Sequence, residues 1–353
     1  MKKNLLSLLA IVAMTSCTQT EMIVPQTNGD NVEITLKSTA LSVEGVTRAP
    51  FDGAIASTNP LDARIVATAT TGNYNALYVD GVMKFQDQAT ETHFESGYTG
   101  KNYYPSDGTT LGVSGLYPAK NKAQTPAGWT FATDKATFNF TGCEDVMVAK
   151  EVQWNKSKAQ ASSSNIPNLA FVPLLTKLNI KLQAADANAI AAWGAISKIE
   201  LVATKSADPF TSVSVDLVNG TATSGSFSTG TTPFKCYGMT ETGGTKTYTD
   251  VAYESQSYSL TTTSTYQAYA LIAPLQLTTV TTGDLKFKVY AANANGGAQD
   301  VIVELKDNLG ADYDGFTQSK AFDINLKFKA TEITATASVT DWTPMGNSDT
   351  EIQ

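Results

Sequence analysis

Apolar and polar residues alternate with a period of two along much of the chain. In VEITLK, Val32, Ile34 and Leu36 fall on one side and Glu33, Thr35 and Lys37 on the other. Leu178, Ile180 and Leu182 repeat the pattern in KLNIKL, as do Val213, Val215 and Leu217 in SVSVDLV. LKFKV (Leu285, Phe287, Val289) and VIVEL (Val301, Val303, Leu305) follow. The cleanest runs come last: Phe322, Ile324, Leu326 and Phe328 in AFDINLKFK, then Ile333, Ala335, Ala337 and Val339 in ITATASV. Successive strand residues point to opposite faces, so this alternation predicts strands with one face on a core and one in water. Turn-forming residues separate the runs at Asn219-Gly220, Gly283-Asp284, Asn295-Gly296-Gly297 and Asp314-Gly315. Short strands with such breaks predict an all-β fold of antiparallel β-sandwiches.

Two stretches break the alternation. Residues 184–195 are Ala-rich, with Asp186 placed as an N-cap, and predict one or two helical turns, the only helix-like segment. The Ser-rich segment NKSKAQASSSNIPN, 155–168, reads as an exposed linker. It sets the expected boundary between a domain over 31–165 and a second over 166–353.

The N-terminus reads as an address. Lys2 and Lys3 precede a short apolar run over 5–13, too short to span a bilayer, which is the layout of a secretion signal. It ends in Met14-Thr15-Ser16-Cys17, which resembles a bacterial lipobox and makes Cys17 the expected lipidation site. Residues 1–17 are then the signal with its Cys, and 18–30 a polar tether.

Composition narrows the function. The 353 residues hold 25 Lys+Arg against 33 Asp+Glu, a net charge of −8 without any basic cluster. That is a poor nucleic-acid binder, because neutralising phosphates dominates such affinity. His93 is the single histidine, so His-rich metal sites are excluded and a Ser-His-Asp triad is remote. No phosphate loop, G-x-S-x-G or H-E-x-x-H occurs, and no pair of acids stands out by spacing. The chain is therefore not expected to be an enzyme, to carry a cofactor or to hold a metal.

Other constellations carry bland readings. Asp307, Asp312 and Asp314 crowd one loop, but not with EF-hand spacing, and read as turn formers. Cys143 and Cys236 are expected as unpaired thiols. Tyr98, Tyr103, Tyr104, Tyr117, Trp129 and Trp154 are expected to fill the N-terminal core, with sugar stacking as the alternative. Arg48, between small residues and just before Ala49-Pro50, suits a trypsin-like protease; otherwise it is an ordinary solvated Arg.

Several segments, in order along the chain, resemble the fimbrillin family, the surface lipoproteins and pilins of type V pili. They are the lipobox at Cys17, Val46-Thr47-Arg48-Ala49-Pro50, Gly115-Leu116-Tyr117-Pro118 and Asp145-Val146-Met147-Val148-Ala149. FVPLLTKLNI over 171–180, Leu271-Ile272-Ala273-Pro274 and ITATASVTDW over 333–342 complete the set. Pro173 stands near a place where the family often has His. The resemblance implies two transthyretin-like β-sandwich domains and export as a lipoprotein to the outer membrane. It implies assembly into an extracellular, adhesion-supporting pilus after a cut between Arg48 and Ala49 removes the first strand. The partners it implies are other pilus subunits, in a homo- or hetero-polymer, and host or bacterial surface ligands, with no nucleic acid. A donor strand would come from 331–342, through Ile333, Ala335, Ala337 and Val339; otherwise that run is the last strand of its own domain. The alternative function is a surface-anchored lipoprotein or tip adhesin that grips a glycan or host protein.

Overall fold

The computed structural model describes residues 31–40, 55–69, 77–88, 90–95, 102–120, 128–132, 134–161, 165–203, 212–223, 234–253, 258–276, 285–293, 299–302, 315–316 and 318–341. The first strands are β1 (Lys37–Ala40), β2 (Leu61–Ala69), β3 (Leu77–Phe85), β4 (Leu111–Tyr117), β5 (Thr130–Ala132), β6 (Lys135–Asn139) and β7 (Met147–Trp154). Helix α1 (Lys156–Ala161) precedes β8 (Asn168–Pro173) and β9 (Thr176–Ala184), and α2 (Ala187–Trp193) precedes β10 (Ile196–Ala203). Then come β11 (Ser212–Asp216), β12 (Thr221–Thr223), β13 (Phe234–Lys235), β14 (Tyr237–Thr242), β15 (Thr245–Ala252) and β16 (Thr265–Ile272). The series ends with β17 (Leu275–Gln276), β18 (Leu285–Ala291), β19 (Gln299–Ile302), β20 (Gly315–Phe316), β21 (Lys320–Phe328) and β22 (Ile333–Asp341).

The period-two runs became β9, β11, β18, β21 and β22, and β19 covers the start of VIVEL. The expected helix is α2: Asp186 Oδ1 accepts the Ala189 N–H at 2.9 Å, and Gly194 closes it in the left-handed region at φ +68°. A second helix, α1, lies inside the segment read as linker. It starts because Asn155 Oδ1 accepts the Lys158 N–H at 3.0 Å, a cap that the polar composition did not reveal.

Among the described residues, strands assemble into two six-stranded sheets, β1-β8-β7-β4-β2-β3 and β15-β14-β16-β9-β21-β22, two four-stranded sheets, β13-β10-β18-β19 and β12-β11-β6-β5, and the short pair β17-β20. Most ladders are antiparallel, but β1 runs parallel to β8 and β9 parallel to β21. The described residues from Val32 onward form one compact unit. The first six-stranded sheet is covered on both faces. Ala63, Ile65, Leu111, Val113, Met147 and Phe171 enter one core, whereas Val66, Leu116 and Val148 enter another with Trp129 and Phe138. That larger core continues through Ile199, Leu201, Phe287 and Val289 of one sheet and Leu178, Ile180, Phe322 and Ile324 of its neighbour. β6 and β11 pair across the expected domain boundary, Ala136 opposite Val215 and Phe138 opposite Val213.

Packing is close where backbone meets ring. A Cβ on Gly115 would stand 2.4 Å from the Phe171 ring, so only glycine fits between β4 and β8. This explains one glycine of the Gly115-Leu116-Tyr117-Pro118 motif.

Candidate functional site

The first segment, 32–40, is a strand held from two sides. On one side the Ile34 N–H donates to Asn102 O at 2.7 Å, the Tyr104 N–H to Val32 O at 2.9 Å, and Leu36 exchanges bonds with Thr92. On the other, Lys37 to Ala40 lie parallel to Asn168 to Phe171, and the Lys37 N–H donates to Pro167 O at 2.9 Å. Ile34 and Leu36 are fully buried in the core with Phe85, Phe94, Tyr104, Leu169 and Phe171, and Val32 packs against it. The alternation read in VEITLK is thus observed, one face inward. It extends one step further than its letters suggest: Ser38 is also fully buried, and its Oγ has no hydrogen-bond partner.

Glu33 points away from that core and meets His93, Oε1 to Nδ1 at 3.0 Å. His93 also borders an open, polar cleft of about 740 Å³, with Ser57, Lys84, Asp87, Glu91 and Glu95 among its walls. No motif marks this cleft, because its walls come from two stretches far apart in the chain, 56–57 and 84–95.

The expected donor strand, β22, is the outer strand of its sheet and among the described residues pairs with β21 alone, Ile333 opposite Phe328 through Asp341 opposite Lys320. Ile333 and Ala335 are half-buried against the large core, while Thr336 and Ser338 are exposed. Ala337 and Val339 sit in the ladder opposite Ile324 and Phe322.

Cys17, Arg48, Ala49 and the Asp307–Asp314 loop lie outside the described residues. Arg48 and Arg64 are the only arginines of the sequence. Arg64 is locked in β2: Nε and Nη2 donate to the two carboxylate oxygens of Asp80, each at 2.6 Å, and Nη1 to Trp129 O at 3.1 Å. Its guanidinium also lies 4.6 Å from the centre of the Phe131 ring. Cys143 and Cys236 are unpaired, and burial pushes both thiols up, so neither is poised as a nucleophile. Trp129 and Tyr104 are buried, as core residues, while Tyr103, Tyr117 and Trp154 are half-buried and Tyr98 is not described. Among the described residues no group of His, Cys, Asp and Glu could hold a metal ion, and no helix is long and apolar enough to cross a membrane.

The polar face of the second six-stranded sheet carries a network around Asp323. Asn179 Nδ2 donates to it at 3.0 Å, the Tyr266 hydroxyl donates to it, and Lys181 lies 3.2 Å away. Two ammonium groups lie close to the Tyr266 ring, Lys181 at 4.2 Å and Lys246 at 4.4 Å from its centre. Burial alone would raise the Asp323 carboxyl, but the Tyr266 hydroxyl, the Asn179 amide and the two lysines outweigh it and hold it below the usual range. A carboxyl lowered on folding adds stability above its unfolded value, and that stability is lost as pH falls through the folded one. Asp323→Asn is therefore expected to cost about 1–3 kcal/mol at pH 7, with the difference from wild type shrinking in urea titrations below pH ~4. A deficit that stays constant down to pH 2 would contradict it.

Residues 47–342 match the model of a family described as fimbrillin-like. No curated protein gives a significant match. Among solved structures, a candidate cell adhesion protein from Bacteroides ovatus aligns over 90% of this chain and 99% of its own, at 13% identity and a TM-score of 0.52. One from Bacteroides uniformis covers 88% and 98%, at 16% identity and a TM-score of 0.50. A tip fimbrial protein of Porphyromonas gingivalis, truncated at its C-terminus, covers 88% and 100% at 10% identity and a TM-score of 0.43. At these identities the likeness of the first two is one of fold.

Proposed function

The chain belongs to the fimbrillin-like family, and from that premise we propose that it is exported as a lipoprotein and assembled into a cell-surface pilus by strand exchange. It is a structural subunit that supports adhesion, not an enzyme. In this reading Cys17 carries the lipid that tethers the precursor to the outer membrane, since membrane hold scales with buried CH₂ groups. An arginine-specific protease then cuts between Arg48 and Ala49. Arg64, the other arginine, is fixed in β2 and paired with Asp80, which favours Arg48 as the point of attack.

The observation that carries the reading is how 32–40 is held. Its backbone bonds two neighbouring segments, two apolar side chains fill a core, and its chain connection to the rest runs through the Arg48 segment. Once cut, only non-covalent contacts keep it in place. Its departure bares unpaired backbone groups and an apolar groove, which an added strand satisfies by β-augmentation. β22 is suited to donate, because among the described residues it is an edge strand whose ladder runs to one neighbour, β21. The alternative, a lipid-anchored adhesin, draws support from the polar cleft beside His93.

The test is the N-terminus of the protein taken from cells. Ala49 is expected in polymer, Arg48→Ala is expected to leave a folded monomer, and Cys17→Ala to leave a precursor without membrane hold. Polymer that retains an uncut, lipidated Cys17 would overturn strand exchange and favour the anchored adhesin.

A further inference from the structure

We infer that the groove under 32–40 takes its replacement strand from a different subunit, not from a second copy of this chain. The inference rests on the strand-exchange reading. The resident strand defines what the groove accepts. Ile34, Leu36 and Ser38 are three successive inward residues, all fully buried. Interiors are packed without spare volume, so the first two positions demand large aliphatic side chains. The third is small and fully buried, and the Ser38 hydroxyl finds no hydrogen-bond partner there. The groove therefore reads large, large, small.

The sequence of β22 does not supply that pattern. By sequence alternation, β22 with its flanking residues reads Thr331, Ile333, Ala335, Ala337, Val339, Asp341 in one set and Glu332, Thr334, Thr336, Ser338, Thr340, Trp342 in the other. Any two successive residues on either face, read in either direction, include Ala, Thr, Ser, Asp or Glu. Every register thus underfills or buries a polar group in one of the two large pockets. Truncating one buried Leu or Ile to Ala weakens a packed site ~30-fold or more. The Ser38 position works in the opposite sense: a buried hydroxyl without a partner weakens the resident strand, so a donor with Ala there binds ~10-fold more tightly. The occupant that fits is a strand with two successive inward Leu, Ile or Val residues followed by Ala. β22 of this chain then serves a groove on some other subunit.

The experiment uses the full chain cut with an arginine-specific protease. The resident strand is labelled, and its displacement by synthetic peptides is followed by fluorescence anisotropy. A peptide of 31–48 is the reference. Its Ser38→Ala form is expected to displace ~10-fold better and a 331–342 peptide ~30-fold worse or less. Ala335→Leu in the 331–342 peptide creates the large, large, small order and is expected to restore displacement. Displacement by unmodified 331–342 as good as the reference overturns the inference while leaving strand exchange intact. Failure of every peptide, the reference included, overturns strand exchange and the inference with it.

Discussion

Leu36→Ala is expected to lower the free energy of unfolding by about 3 kcal/mol, because it removes a fully buried side chain and leaves a cavity in the core. Urea titration reads this directly. The effect is not confined to global stability. Leu36 is also bonded through its backbone to Thr92, and the segment is short, so its loss of packing loosens the whole of 32–40. Hydrogen exchange at the amides of Ile34, Leu36, Thr92 and Tyr104 should accelerate ahead of the amides of β21, since local opening follows local contact. Ile34→Val is the graded control, at about 1 kcal/mol. A loss below about 1 kcal/mol for Leu36→Ala would mean that the segment lies on the core without being part of it.

Asp80→Ala is the second large effect. Two magnitudes compete here. An exposed ion pair is worth about 0–1 kcal/mol, and breaking a buried one costs about 3–5 kcal/mol. The pair is asymmetric: the Arg64 side chain is 10% exposed and that of Asp80 36%. Removing the partially exposed carboxylate strands the buried guanidinium, which keeps the Trp129 carbonyl and the Phe131 ring but loses both charge-assisted bonds. We expect about 2–3 kcal/mol, between the two limits. Arg64→Leu with Asp80→Leu should recover much of it, because no charge is then left unmatched. If the double substitution is no better than Asp80→Ala alone, the pair is there for more than charge balance.

The strands legible from the sequence are those with one wet face. In β21 the pattern Ala321, Phe322, Ile324, Leu326, Phe328 alternates almost cleanly with half-buried Asp323 and Asn325 and exposed Lys327. β2 and β4 do not alternate, because both of their faces are covered. Five consecutive residues of β2, Ala63 to Ala67, are buried, as are the first six of β4. Burial on both sides erases the period-two signal. The end of β4 was marked by the Gly115-Leu116-Tyr117-Pro118 resemblance, and β2 by no motif at all. Half of the candidate site shared the same fate. The inward face of 32–36 was plain in VEITLK, but serine reads as polar, so the buried Ser38 was not. The segments that clamp the strand, around Thr92 and Tyr104, form isolated bridges without a repeat to mark them.

The order of the ladders has a consequence for force. A strand seated in place of 32–40 would lie along β8, and β8 passes into β9 with only Leu174 and Leu175 between. β9 is bonded along its length to β21, and β21 to β22. Tension on a fibre joined through the groove at one end and β22 at the other would then run along the strand axes. Bonds in such ladders are sheared together rather than peeled one after another. The parallel β9–β21 ladder, with eight residue pairs from Ala321–Lys177 to Phe328–Ala184, is the rung-bearing splice of that path. It would have to slide as a unit before the subunit could lengthen.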